Sequence, residues 1–143
     1  MSFSSPASLL DVELEPGRPP VLRVEGGDPQ AWATEHRDGL RAVVAEHGSV
    51  LVRGLGLADA AEFSLVLRRL VTGLMTEKES FAPRQPYPGG IYSSTKWPAN
   101  QPMCMHHELS YASEAPGLLL FACLTAPTGG GATAVADAPI SSL

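Results

Sequence analysis

The chain has 143 residues, of which 44% are hydrophobic and 17% are charged, so it can bury one modest core but not two ordinary ones. The 15 acidic residues outnumber the 10 basic ones, and the absence of a basic run excludes a nucleic-acid partner. No apolar run approaches the ~20 residues of a membrane helix, and Met1–Leu10 lacks the positive charge of a secretory signal. We therefore expect a soluble, cytoplasmic protein in which Cys104 and Cys123 are free thiols.

The first half of the chain predicts two helices and two short strands. Residues 1–20 are rich in Ser, Pro and Gly and indicate a flexible arm. The side chains of Val21–Val24 are expected to alternate between two faces, as in a strand. A helix is predicted to follow, from the capping Asp28 to the terminating Gly48. Val50–Val52 predicts a buried strand, and the apolar spacing between Asp59 and Gly73 predicts a second helix. Both helices are expected to cover a core.

The second half changes character and favours β-structure with frequent turns. Phe81–Gly90 holds three prolines and two glycines and indicates a loop. Strands are predicted at Ile91–Thr95, in the short segment Met103–Tyr111, at Leu118–Leu124 and at Thr133–Ala136, with a Gly-rich turn at Thr128–Gly131. The predicted fold class is therefore α+β, mainly β, in the manner of a sandwich or barrel.

The chemistry of the sequence centres on His106 and Glu108. Residues two apart in a strand point to the same face, so an imidazole and a carboxylate are expected side by side, with His107 on the opposite face. One neutral nitrogen and one anionic oxygen are two thirds of the triad that holds iron(II) in many oxygenases. The triplet is weak evidence by itself, because His-x-Glu arises often by chance.

The glycine run Gly129–Gly131 strengthens the case for a metal site. Three glycines permit a tight turn that returns the next strand beside the predicted metal strand. Thr133 opens that strand and offers a hydroxyl donor to an anionic group, and Asp137 follows shortly after it.

These motifs together resemble the taurine dioxygenase (TauD/TfdA) superfamily. The resemblance is carried by Tyr92–Pro98, by His106–Tyr111 and by Gly130–Thr133 through Asp137, and it is dense from about Phe81 onwards. It is strongest to the clavaminate synthase-like and amino-acid-hydroxylating branch, where Glu replaces the commoner Asp. The resemblance implies a double-stranded β-helix (jelly roll) with N-terminal covering helices.

The resemblance also implies a reaction and its cofactors. His106 and Glu108 would bind iron(II), and Thr133 would hydrogen-bond the carboxylate of the co-substrate 2-oxoglutarate. Decarboxylation of 2-oxoglutarate with O₂ would give succinate and CO₂, and the metal and co-substrate would supply the oxidant that takes hydrogen from substrate carbon. Because Glu108 fills the position that related halogenases leave for chloride, hydroxylation, desaturation or cyclisation is favoured over halogenation. The expected substrate is a small metabolite such as an amino acid, which points to secondary metabolism.

The sequence departs from the family in one important respect. No His follows Glu108 and no Arg follows Arg84, although the family has a distal His as third iron ligand and a distal Arg as second 2-oxoglutarate anchor. We therefore expect residues 1–143 to be the N-terminal portion of one oxygenase domain, an incomplete jelly roll whose missing His and Arg come from a second polypeptide segment. Alternatives are a non-catalytic remnant or metal-binding module of the same fold and a small cupin-like protein with its own site.

Four further side chains are candidates for the substrate pocket. Ser94, Thr95 and Tyr111 lie near the motifs, where the family places substrate contacts, and Arg84 is a candidate partner for a substrate carboxylate. Cys104-x-His106-x-Glu108 also suggests zinc, but structural zinc sites need four closed ligands at paired spacing, so iron is favoured. Nothing in the sequence excludes a homo-oligomer.

Overall fold

The structure is a computed structural model that describes residues 10–75, 84–108, 113–114 and 116–136. The chain divides into two compact units, the first holding the described residues up to 57 and the second those from 58 to 136. No helix in the described ranges is long and apolar enough to cross a bilayer.

The first unit is built around a β-α-β arrangement. Strand β1 (Val21–Arg23) and strand β2 (Leu51–Arg53) pair in parallel, with Leu22 opposite Val52. Helix α1 (Pro29–His47) connects them, as parallel neighbours require a crossover. The side chains of Leu22 on β1 and of Ala33, Leu40 and Val43 on α1 are buried.

Local sequence signals set both ends of α1, as predicted. Asp28 is the N-cap, and its carboxylate accepts a hydrogen bond from the backbone N–H of Ala31 at 3.0 Å. Pro29 lies in the first turn, where its missing N–H costs nothing. Gly48 ends the helix in the left-handed region at φ 83°, and its N–H donates to the carbonyl of Val44.

Part of the segment predicted as an arm contacts β1. Glu13 and Val21 exchange two backbone hydrogen bonds of 2.8 and 3.0 Å, and the Arg23 guanidinium donates to the Glu13 carboxylate at 2.9 Å. Residues 1–9 lie outside the described ranges, and the flexibility expected of residues 1–20 stays a prediction.

The second unit begins with helix α2 (Ala60–Leu70), three residues shorter than the predicted end at Gly73. Its N-cap Asp59 accepts from the backbone N–H of Glu62 at 2.8 Å, and the Glu62 carboxylate accepts from that of Ala58 at 2.7 Å. The first bond satisfies the Glu62 N–H, which has no partner within the first helical turn, and the second holds the residue before the N-cap. Val66 and Leu67 are the buried apolar residues of this helix.

A short hairpin follows where the sequence predicted a loop. Strand β3 (Pro86–Tyr87) pairs antiparallel with strand β4 (Ile91–Tyr92), which is three residues shorter than the predicted Ile91–Thr95. The connecting turn contains Gly89 at φ 94°, a conformation that favours glycine. The buried Ser64 hydroxyl of α2 donates to the Gly89 carbonyl at 3.3 Å and so joins the turn to the helix.

The strands predicted in the last third of the chain are wrong for the described residues. Residues 103–108, 118–124 and 133–136 have no regular structure, and residues 109–112 lie outside the description. A strand needs a neighbour that pairs its N–H and C=O groups and covers its apolar face. In the described ranges these segments have no such neighbour, and Phe121 and Val135 are exposed. The described part of the chain holds two separate two-stranded sheets, so the jelly roll stays an expectation.

Candidate metal site

The β3–β4 hairpin positions Arg84 beside Thr95. Beyond the two strands, Ser93 N–H donates to the Gln85 carbonyl at 2.8 Å, and Gln85 N–H donates to the Ser93 hydroxyl at 2.9 Å. These bonds extend the pairing toward both free ends of the hairpin, where Arg84 precedes β3 and Thr95 follows β4. There the Arg84 Nε–H donates to the Thr95 hydroxyl at 3.1 Å.

His106 and Glu108 lie next to each other, with His106 Nε2 and Glu108 Oε2 separated by 3.7 Å. The predicted strand is absent here, and Glu108 lies in a turn, so the nearness is a local contact between residues two apart rather than a consequence of sheet geometry. The Glu108 side chain is 21% exposed and that of His106 is 53% exposed, so the carboxylate is the more enclosed of the two. His107 between them is exposed, and no contact in the described ranges joins it to Glu108.

A backbone carbonyl orients the His106 ring. Its Nδ1 lies 2.8 Å from the Cys104 carbonyl oxygen, which can only accept, so Nδ1 carries the proton in this contact. In the neutral ring Nε2 then carries the lone pair, on the side of Glu108 Oε2. Metal-binding histidines are commonly fixed in this way, by a hydrogen-bond acceptor that contacts the other ring nitrogen.

Arg84 holds the second oxygen of the Glu108 carboxylate. Its Nη2 lies 2.6 Å from Glu108 Oε1, and both side chains are about three-quarters buried at 26% and 21% exposed. The pair is a short, charge-assisted hydrogen bond, among the stronger kinds that proteins form. Sequence reasoning missed this contact, because nothing in the spacing of Arg84 and Glu108 announces it. The expected contact of Arg84 with a substrate carboxylate stays a prediction.

The donor set fits two ligands of an iron(II) site. A ring nitrogen and a carboxylate oxygen 3.7 Å apart can be bridged by one ion, since first-row divalent metals bind such atoms at about 2.1 Å. No cluster of three His, Cys, Asp or Glu side chains exists within the ranges that the structure describes, so no third ligand is found there. The same finding gives the zinc alternative no support, since Cys104 contributes its carbonyl to the site and its thiol is free.

The remaining predicted site residues are not brought to this pair. Thr133 and Ser94 are exposed, and in the described ranges neither forms a hydrogen bond with His106 or Glu108. Among the described residues, Thr95 is linked to this pair through its hydrogen bond with Arg84. Tyr111 and Asp137 lie outside the described residues. Cys104 and Cys123 are free thiols, as predicted.

Comparison with known proteins identifies the family. The model of the "Taurine catabolism dioxygenase TauD, TfdA family" matches residues 12–138, which is most of the chain. The chain belongs to the TauD/TfdA family. The predicted resemblance is therefore confirmed, and TauD/TfdA membership implies a jelly-roll fold and an oxygenase framework of the kind that uses iron(II), 2-oxoglutarate and O₂.

Two curated relatives of this TauD/TfdA chain agree with the predicted branch. The dapdiamide synthesis protein DdaC of Enterobacter agglomerans is 30% identical over 95 residues, covering 66% of this chain and 29% of the relative. A clavaminate synthase-like protein of Arabidopsis thaliana is 29% identical over 96 residues, covering 67% of this chain and 29% of the relative. The matched region thus spans less than a third of each relative's length. No solved structure matches the chain.

Proposed function

We propose that this chain provides the iron-binding segment of an iron(II)- and 2-oxoglutarate-dependent dioxygenase that hydroxylates an unactivated carbon of a small metabolite. Succinate and CO₂ are the co-products. The observation that carries the proposal is the convergence of His106 Nε2 and Glu108 Oε2 at 3.7 Å in a chain of the TauD/TfdA family. Neither half of that observation suffices alone, because close His–Glu pairs also occur in proteins that bind no metal.

The residues of the chain have distinct roles in this proposal. His106, fixed by the Cys104 carbonyl, offers Nε2, and Glu108 offers Oε2. Iron(II) held there with 2-oxoglutarate and O₂ would supply the oxidation of the substrate C–H bond. Thr133 is proposed to hydrogen-bond the 2-oxoglutarate carboxylate, which requires the exposed 133–136 segment to lie beside the iron ligands in the active protein.

The proposed substrate is an amino acid or a similar small metabolite. One relative is named for dapdiamide synthesis and the other for its likeness to clavaminate synthase, and both names favour biosynthetic, secondary metabolism. Ser94, Thr95 and Tyr111 are proposed substrate contacts. The carboxylate of Glu108 favours hydroxylation, desaturation or cyclisation over halogenation, because it fills the position that a chloride would need.

A further proposal concerns how the site is completed. No third ligand lies within the described ranges, no His follows Glu108, and no Arg follows Arg84. We propose that a polypeptide segment beyond these 143 residues contributes a His to the metal and an Arg to the co-substrate. The same segment would pair with residues 118–124 and cover their exposed apolar side chains, such as Leu119 and Phe121.

The first experiment measures metal binding by the 143-residue chain itself. Anaerobic calorimetric titration with iron(II) should detect a site whose affinity falls by more than about tenfold in His106→Ala. Loss of a ligand is expected to cost at least as much as loss of a group that hydrogen-bonds a ligand, which typically costs about 10–100-fold. His107→Ala is the matched control, since its exposed imidazole has no contact with Glu108 and should leave the affinity unchanged. Equal iron(II) affinities in the unchanged protein, His106→Ala and His107→Ala would contradict the proposed metal site.

The second experiment measures turnover by the completed site. Succinate formation from 2-oxoglutarate is followed with iron(II) and candidate amino acids, using the chain joined to a segment that carries a His and an Arg. Turnover that disappears in His106→Ala supports the oxygenase. A silent assay in the completed protein with the whole substrate panel would refute it, and turnover by the 143 residues alone would contradict the proposed need for a completing segment.

The alternative function is a metal-binding or non-catalytic module of the same fold. It is favoured by the finding of only two ligands in the described ranges. The two experiments separate it from the oxygenase, because such a module binds iron(II) through His106 but forms no succinate in any assembly.

A further inference from the structure

The two oxygens of the Glu108 carboxylate have different neighbours. Oε1 accepts the 2.6 Å hydrogen bond from Arg84 Nη2, while Oε2 faces His106 Nε2 at 3.7 Å. Arg84 does not reach Glu108 as a free side chain, since its Nε–H is also bonded to the Thr95 hydroxyl at 3.1 Å. The Arg84 guanidinium is therefore held at the hairpin by Thr95 and donates from Nη2 to Oε1 of Glu108.

This division of the carboxylate matters for a metal that must keep positions open. A carboxylate can bind a metal ion through one oxygen or through both, and the second oxygen occupies a further coordination position. An iron(II) oxygenase site needs its remaining positions for co-substrate and O₂. An oxygen already engaged in a short charge-assisted hydrogen bond is a poorer metal ligand than one that faces the metal without a donor.

We propose that Arg84 is a positioning residue that keeps Glu108 a one-oxygen ligand, by holding Oε1 and leaving only Oε2 for the metal. The inference rests on the proposed metal site and deepens it. Arg suits this role better than Lys, because its planar guanidinium can donate from Nε to Thr95 and from Nη2 to Glu108 at the same time.

A competing role for Arg84 is that of a place-holder which leaves Glu108 when a metal arrives. The geometry favours positioning over displacement, because Oε2 lies toward His106 while Oε1 stays with Arg84, so the metal can bind without breaking the ion pair. The two roles differ in a measurable way. A place-holder affects only how tightly the metal binds, whereas a positioning residue affects how many coordination positions remain.

The test counts water molecules on Mn(II) bound to the full 143-residue chain, from the broadening of its EPR lines in ¹⁷O-enriched water. Arg84→Met removes the guanidinium donors and releases Oε1 of Glu108. Glu108 should then bind Mn(II) through both oxygens, and the ion should hold about one coordinated water fewer than in the unchanged protein. Arg69→Met is the matched control, because Arg69 is an exposed arginine of α2 and its loss should leave the count unchanged. Arg84→Lys keeps a charged donor and should restore most of the count.

Two further variants make the outcomes separable. His106→Ala must abolish the EPR signal of Mn(II) bound at this site. If the unchanged protein binds no Mn(II) that His106→Ala removes, both the proposed metal site and the inference are contradicted. If Mn(II) binds and Arg84→Met shows the same water count as the unchanged protein, only the inference is overturned. Should Arg84→Met fail to fold by circular dichroism, Thr95→Val replaces it. That variant removes the Thr95 hydrogen bond, which is one of the contacts that hold Arg84, and should lower the count in the same direction. An unchanged count would again overturn the inference.

Discussion

The contact between the β3–β4 turn and helix α2 makes Gly89→Ala a sharp perturbation of the second unit. Gly89 has φ 94°, a conformation that costs an alanine about 1–3 kcal/mol. An added Cβ would overlap the Ser64 hydroxyl oxygen and lie 2.8 Å from Ser64 Cβ, closer than two carbon atoms pack. Rotating the hydroxyl away relieves the first clash but breaks the 3.3 Å hydrogen bond to the Gly89 carbonyl, at about 0.5–1.5 kcal/mol.

The expected loss in the free energy of unfolding is therefore about 1.5–4.5 kcal/mol, the sum of the backbone and hydrogen-bond contributions. The assay is urea denaturation followed by the fluorescence of Trp97, in a Trp32→Phe background. The chain has two tryptophans, and Trp32 belongs to the first unit, so this background reports the second unit alone.

Gly117→Ala is the control, because Gly117 has no atom within 4 Å of the position an added Cβ would take. Its change should stay within about 0.5 kcal/mol. A loss below about 1 kcal/mol in Gly89→Ala, or an equal loss in the control, would refute the proposed attachment of the turn to α2. Ser64→Ala in the Gly89→Ala background should recover only part of the loss, since the strained φ and the Cβ contact persist.

Three smaller predictions concern the packing and capping of the described elements, each measured by urea denaturation. Leu67→Ala should cost about 2–5 kcal/mol because Leu67 is buried, whereas Leu65→Ala on the exposed face of the same helix should cost far less. Asp59→Ala removes the α2 N-cap and should cost about 1 kcal/mol. A double-mutant cycle on Glu13 and Arg23, which are 59% and 60% exposed, should give a coupling below about 1 kcal/mol.

The elements that the sequence predicts well are those defined by their own residues. The bounds of α1 follow from a capping Asp28, a proline at the first turn and a glycine that reaches the left-handed region. The N-terminus of α2 follows in the same way from Asp59 and Glu62. Such signals act within four or five residues, so one sequence is enough to recognise them.

The β3–β4 hairpin and the strands predicted after it show that local sequence signals do not determine β-structure. Three prolines and two glycines made Phe81–Gly90 look like loop, yet the Pro88–Gly90 turn folds β3 onto β4. Conversely, Leu118–Leu124 has the composition of a strand and is not one in the structure. A strand depends on a pairing partner that is distant in sequence, and composition does not report whether that partner is present.

The candidate site combines both kinds of information. The nearness of His106 and Glu108 is local, since the two residues are only two positions apart in the sequence. Their spacing therefore predicts the contact, although the strand expected here does not form and Glu108 lies in a turn. The Arg84–Glu108 pair joins residues 24 apart and depends on the hairpin that brings Arg84 to Thr95. A candidate metal ligand can thus be predicted from its spacing, whereas the side chain that contacts it from a distant part of the sequence follows only from the fold. The Gly89 turn sets the position of both ends of the hairpin and therefore of Arg84. If Arg84 holds Oε1 of Glu108 and leaves Oε2 for the metal, a substitution at Gly89 should alter metal coordination although it changes neither proposed ligand.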